Sequence, residues 1–417
     1  MILARNFRVR TTQSTAIAEC DLVGPGFPET LGFEVALDHI AALDIDEPNW
    51  AAIALLYPAM LMGEELVIEA DLSALLLHNM RNDLMALIQN FEPKTKPIRI
   101  EAGQSSRMLP AEGRDVMSGF SAGVDSFATL AIFSDVKLHP DLRLTALGTF
   151  HVGALGPVRG RPDLLEDALA LIRPIAAEKG LKLYGVSCDM DHIFGAAKKH
   201  GPVGFAKTVG FRNAAAGMAL QKGVRTYMTA GHRAYNRASY GPAISTETLD
   251  PVFQPLLHTE SLRTIPVAAG LSRLEKLGIL VERTDAQKYL NPCVVQMDLR
   301  PKTGHLNCSR CWKCTATLVE LEVLGRLDAF RQVFDIDHYK ANRKGLLANL
   351  HNQAVHEWGD KKNSGFKAVI AAGLTVPPPQ SRAVYHTRKF ARRAWGKAVR
   401  MTRAKLARLL GNTKMGS

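Results

Sequence analysis

The chain has no uninterrupted apolar stretch long enough to span a bilayer, which argues against a membrane-crossing helix. Its first residues, "MILARNFRVRTT", lack the apolar core of a secretion signal, so the expected compartment is the cytoplasm. No segment repeats along the chain. The G-x-x-x-x-G-K-[ST] loop of kinases and GTPases is absent, and with it that way of holding a nucleotide. Acid is missing from residues 381–417, which contain Arg382, Arg388, Lys389, Arg392, Arg393, Lys397, Arg400, Arg403, Lys405, Arg408 and Lys414. These residues account for almost all of the formal charge of +12, so residues 1–380 are close to neutral. The basic character therefore belongs to a tail and does not mark the body as a nucleic-acid binder.

What is present is ordinary for a globular enzyme: 417 residues, 47% hydrophobic and 22% charged. That length predicts two domains with appendages. Residues 1–112 read as a mixed α/β domain of unassigned role. Strands are expected at "FRVR", "LGFEVAL", "ELVIEADLS" and "PIRIEA", and helices at "NWAAIALLYPAML" and "LLLHNMRNDLMALIQNF". Over 113–340 short apolar strands alternate with helices, a pattern that predicts a parallel sheet covered by helices on both faces. Residues 341–376 read as a helical extension. The prolines of "TVPPPQ" then open a linker and basic tail over 377–417.

"MSGFSAGVDSFATLAIF" joins an apolar strand to a helix through a small turn. Such a turn presents unpaired backbone N–H groups and the positive end of a helix dipole, a natural anion site. Gly123 allows close backbone approach, while Ser121 and Ser126 add hydroxyl donors. Asp125 would repel phosphate unless a divalent cation lay between, so the turn implies a nucleotide with Mg2+. An ordinary strand–helix turn is the bland alternative. His151, ending "GTFHV", is a candidate for the edge of a nucleotide base, or else a satisfied structural histidine. Asp189, Asp191 and His192 in "CDMDHIF" read as an exposed polar turn rather than a metal site.

Four of the six cysteines crowd together: Cys293, then Cys308, Cys311 and Cys314 in a C-x-x-C-x-x-C run. Two-residue gaps turn thiolates toward one centre and a distant fourth closes a tetrahedron, which suits structural zinc. An iron–sulfur cluster is the rival, and His305 could replace a thiolate.

Ser121-Ala122-Gly123-Val124-Asp125-Ser126 resembles the S-G-G-x-D-S loop of the PP-loop ATP pyrophosphatase superfamily, with Ala122 in place of the first glycine. "TVGFRNAAAGMAL", "YMTAGHRAYNRASYGPA" and "GLSRLEKLGIL" follow in the order found in its 7-cyano-7-deazaguanine synthase branch, and the cysteines fall at that branch's zinc position. The resemblance covers about residues 113–325. It implies ATP on the 121–126 loop, Asp125 on the metal, and Arg212 and Arg273 offsetting phosphate charge. It also places Asn213 and Gly231 beside nucleotide or substrate. The implied reaction adenylates a small-molecule carboxylate, releases pyrophosphate, and lets ammonia or another amine displace AMP. The substrate loop here has no acid until Glu247, and Arg273 stands where the family has lysine, so another carboxylate is an open substrate. A tRNA-modifying enzyme of the same superfamily and a degenerate nucleotide-binding scaffold are the alternatives. The tail could meet nucleic acid or an anionic membrane surface, through a stripe of Phe390, Ala394, Ala398 and Leu406, or serve only as a solubilising end; oligomerisation is open.

Overall fold

The computed structural model describes residues 1–356, 369–370 and 373–391. Its strands form one ten-stranded sheet in the order β10-β9-β6-β7-β8-β3-β2-β1-β4-β5. In chain order these are β1 Ile2–Thr11, β2 Thr15–Val23, β3 Thr30–Ala36, β4 Leu66–Ser73 and β5 Ile100–Ser105, then β6 Asp115–Gly119, β7 Ala146–His151, β8 Lys182–Ser187, β9 Val224–Ala230 and β10 Arg263–Val267. Six of the nine strand pairings are parallel, including all four among β6 to β10.

Helices cover both faces. In the N-terminal unit they are α1 (Asn49–Met62), α2 (Ala74–Asn79) and α3 (Met85–Phe91), the last two joined by a π-helical turn at Met80–Leu84. After β6 come α4 (Val124–Phe133), α5 (Asp163–Glu178), α6 (Met190–Gly195) and α7 (Phe205–Ala219), then α8 (Asp250–Phe253), α9 (Arg273–Leu280), α10 (Thr284–Tyr289), α11 (Trp312–Val323) and α12 (Ile336–His356). The α1 sequence is apolar on every side and its residues are buried from Asn49 to Leu61, so it packs as a central helix and not as a surface one. Gly63, at φ 69°, ends it in the left-handed conformation that glycine tolerates.

β2 is absent from the sequence expectation. Its buried positions Ala16, Ala18, Cys20 and Leu22 alternate correctly, but three of the four are small, and the apolar alternation is correspondingly faint. β2 and β3 pair antiparallel with their neighbours, and β3 meets β8 at Glu34↔Ser187, so the sheet of the N-terminal unit continues into that of the second unit. One core cluster runs from the N-terminal strands and α1 through to α7. A second lies under α4, α5, α9, α11 and α12. Among the described residues no helix is long and apolar enough to cross a membrane. Of the tail's proposed stripe, Phe390 is described and exposed, whereas Ala394, Ala398 and Leu406 lie outside the described residues.

The chain builds β6, β7 and β8 outward in one direction, then crosses back to place β9 on the other side of β6. That reversal makes the carboxyl ends of β6 and β9 a topological switch point, the usual ligand position in such sheets.

Two glycines test the packing of this half. A Cβ on Gly217 in α7 would lie 2.9 Å from the buried ring of Tyr227, whereas one on Gly278 in α9 would meet nothing within 4 Å. Gly278→Ala should therefore stabilise by up to ~1 kcal/mol through helix propensity. Gly217→Ala should lose more to overpacking, roughly 1–3 kcal/mol, than it gains. Urea unfolding of both variants checks the opposite signs.

Candidate functional site

The 121–126 turn lies at the switch point and is strapped to the adjacent strand. Phe120 N–H donates to the carbonyl of Gly148 at 2.7 Å, and the Thr149 hydroxyl donates to that of Phe120 at 3.1 Å. Ser121 N–H reaches Ser126 Oγ at 3.4 Å, and Ser126 Oγ donates to Gly123 O at 3.0 Å. Left-handed backbone falls on Ala122, at φ 56°, at a cost of about 1–2 kcal/mol for a residue with a Cβ. Gly123 is extended, at φ −80° and ψ 175°, so its role is the missing side chain: a Cβ there would sit 3.3 Å from Ser121 Oγ. Val124 is buried in the core, and no side chain caps the first turn of α4, whose leading N–H groups are left for an outside acceptor.

Asp125 is ringed by cations. Lys276 Nζ lies 3.0 Å from its Oδ1, while His232 Nδ1 and Arg273 Nη1 lie 3.4 Å and 3.9 Å from its Oδ2. Lys276, almost wholly buried, also donates to the Gly231 carbonyl. Gly231 must be glycine here, since a Cβ would come within 2.9 Å of the Val267 carbonyl. Arg273 is held from behind by Glu320 at 3.1 Å and Thr317 at 2.8 Å, both on α11. Burial opposes ionisation of Asp125, but His232, Lys276 and Arg273 outweigh it and hold the carboxyl below its ordinary range. Burial likewise works against a charged His232, and Glu247, Asp125 and Asp250 overcome it, raising its pKa to about 9. Its Nε2 lies 4.0 Å from Glu247. Buried Asp250, whose Oδ2 lacks a hydrogen-bond partner, is pushed up to about 7, first by burial and then by Glu247.

Both oxygens of Asp125 face cations, so Lys276, His232 and Arg273 bring neutralising charge beside the turn, in addition to the Mg2+ expected there from the sequence.

His151 is fully buried at the end of β7, its ring nitrogens lacking a hydrogen bond of good geometry, although the Arg161 backbone lies close enough to favour its charged form. Burial keeps its pKa low. Arg212 is buried apart from the ring, where it braces the end of β7. Its guanidinium donates to Val152 O, Asp191 Oδ1 and Thr208 Oγ1, each at 2.7 Å, and stacks over Phe194 at 4.9 Å. Asn213 is half-buried beside it on α7. "CDMDHIF" was expected as a turn but forms the start of α6, because Met190, Ile193 and Phe194 supply a buried face and Asp191 pairs with Arg212.

The four cysteine sulfurs lie within 4.8 Å of one another, with Cys293–Cys311 at 4.0 Å and Cys308–Cys314 at 3.8 Å. A tetrahedron with metal–sulfur bonds of about 2.3 Å has edges of about 3.8 Å, so the set fits zinc. Backbone N–H groups of Cys311 and Cys314 point at Cys308 Sγ and Cys311 Sγ, at 3.3 Å and 3.5 Å, as donors to thiolates. His305 is outside this group, and its ring faces Thr303. Four thiolates leave no open position, so the metal would be structural. It would join both sides of the turn. Cys311 caps α11, which carries Thr317 and Glu320, and the loop leading to Cys293 donates Asn291 N–H to Ala122 O at 2.7 Å.

Sequence reasoning missed Lys276, His232 and Asp250. Lys276 lies one helical turn beyond Arg273, and His232 directly follows Gly231, so both were adjacent to residues already singled out. Asp250 had no local signal. Comparisons with family models, with curated proteins and with solved structures find no match to this chain.

Two outcomes follow from this geometry. Metal analysis should find one zinc per chain, lost in Cys308→Ser, which should also loosen Arg273 from Glu320. Because the folded pKa of His232 is raised, its contribution to stability should be full below the unfolded value of about 6.5 and fade as pH rises through about 9. Unfolding of His232→Gln across pH 6–10 should show a flatter profile than wild type in that window.

Proposed function

We propose that this protein is an ATP-dependent ligase of the PP-loop kind, which splits ATP into AMP and pyrophosphate to adenylate a carboxylate. The observation that carries the reading is the cation ring on Asp125, placed beside an uncapped helix N-terminus at the switch point. An anion is stabilised there by backbone N–H groups, by the Ser121 hydroxyl and by nearby cationic side chains.

In this scheme the turn holds the phosphates of ATP, with Ser121, Ala122, Gly123, Val124 and Ser126 forming its wall. Asp125 orients Lys276 and Arg273 and helps keep His232 charged. As a substrate carboxylate oxygen attacks the α-phosphate, the bond to the β-phosphate breaks and charge grows on the departing pyrophosphate. Lys276 and Arg273 stabilise that charge, and being already fixed they need no reorganisation. Arg212 acts indirectly, by fixing the strand end that carries His151. The acyl-adenylate then passes its acyl group to an amine, releasing AMP. His151, with no side-chain partner on either ring nitrogen, is suited to a polar edge of the nucleotide base. Zinc held by Cys293, Cys308, Cys311 and Cys314 would supply rigidity and no chemistry.

ATP–pyrophosphate exchange against a panel of carboxylates, with 7-carboxy-7-deazaguanine included, tests the reading. Exchange should appear only with a carboxylate and should fall by roughly 10²–10³-fold in Lys276→Ala. Formation of ADP, or AMP release independent of any carboxylate, would contradict it.

A further inference from the structure

Residues 1–112 contribute nothing to the ring around Asp125, yet they grip the segment that carries its outer acids, Glu247 and Asp250. Lys207 on α7 is nine-tenths buried and uses all three ammonium donors. These go to Glu92 Oε2 at 2.8 Å, Phe91 O at 3.1 Å and Ala243 O at 2.7 Å. The ammonium also lies 3.8 Å from the centre of the Phe91 ring. Two of its partners thus belong to the N-terminal unit and one to the loop leading to Glu247.

The far end of the segment is held by the same unit. Asn79 Nδ2 donates to Leu256 O at 3.1 Å, Leu75 N–H to Glu260 Oε1 at 3.0 Å, and Ser261 Oγ to Arg107 O at 2.7 Å. Between these points Thr246 accepts from Gly210 N–H at 2.8 Å, where a Cβ on Gly210 would lie 3.1 Å from that hydroxyl. A simple buried lysine–carboxylate pair could be replaced, both partners together, by apolar residues with little loss of stability. Three directed bonds to two separate chain segments do something an apolar residue cannot: they fix one loop position.

We propose that the N-terminal unit is a clamp that sets the position of Glu247 and Asp250, and that Lys207 is the positioning residue through which it acts. The proposal rests on reading these acids as part of the ligand site, and not on ATP chemistry.

Hydrogen exchange of the full chain, without nucleotide, tests it. The informative amides are Ser239, Thr248 and Leu249, which donate to Thr248 O, Ser245 O and Thr246 O. In Lys207→Met they should exchange at least about tenfold faster, with the amides of β6 and β9 unchanged and Lys207→Arg restoring protection. Unchanged exchange at those three amides, or equal acceleration throughout the sheet, would overturn the clamp. If Lys207→Met does not fold, Glu92→Gln is judged by the same comparison. Where wild type shows pyrophosphate exchange, Lys207→Met should raise KM for the carboxylate and leave KM for ATP unchanged. Absence of exchange in wild type would count against the proposed reaction alone and leave the hydrogen-exchange result standing.

Discussion

One buried ion pair organises the second half of this molecule. Asp125 and Lys276 come from α4 and α9, and the Lys276 ammonium also holds the end of β9 through Gly231. Breaking a buried pair by removing one partner leaves an uncompensated charge and typically costs about 3–5 kcal/mol, far more than a surface pair is worth. The pair therefore fixes where two strand ends and two helices meet. It also gives that carboxylate, which alone would repel phosphate, a fixed cationic partner.

The cysteine cluster extends this arrangement. Its four thiols tie the segment from Leu290 to Asn307 to the start of α11. Asn307 stitches that region further, accepting from Cys293 N–H and donating to Leu290 O and Val333 O. Arg273 is set by α11 on one side and faces Asp125 on the other. Metal binding at the cysteines would thus be mechanically linked to the position of a charge beside the turn, although no cysteine contacts Asp125.

The N-terminal unit is joined to the rest at the β3–β8 pairing, through the shared core under α1 and α7, and at polar junctions. One such junction joins Asp44 and Glu47 to Arg107 and Gln221. These acids are buried and would be costly if left unpaired. Each junction fixes orientation as well as adhesion, because hydrogen-bonded charges have directions that apolar contacts lack.

Local pattern alone announced much of this molecule. Strands and helices over 113–340 were legible because buried parallel strands read as short apolar runs between helices of opposite periodicity. The turn at 121–126 and the cysteine set were legible because their chemistry is compact in sequence. The faint strand at Thr15–Val23 was not, since alanine carries little apolar signal. What only the tertiary structure decided is which charges meet. Lys276, His232, Glu247 and Asp250 lie over a hundred residues from Asp125, and nothing in their local sequence says which strand ends will face one another. Strand order settles that, because the crossover to β9 brings residue 232 beside residue 125. Burial then makes each of these charges dependent on the others.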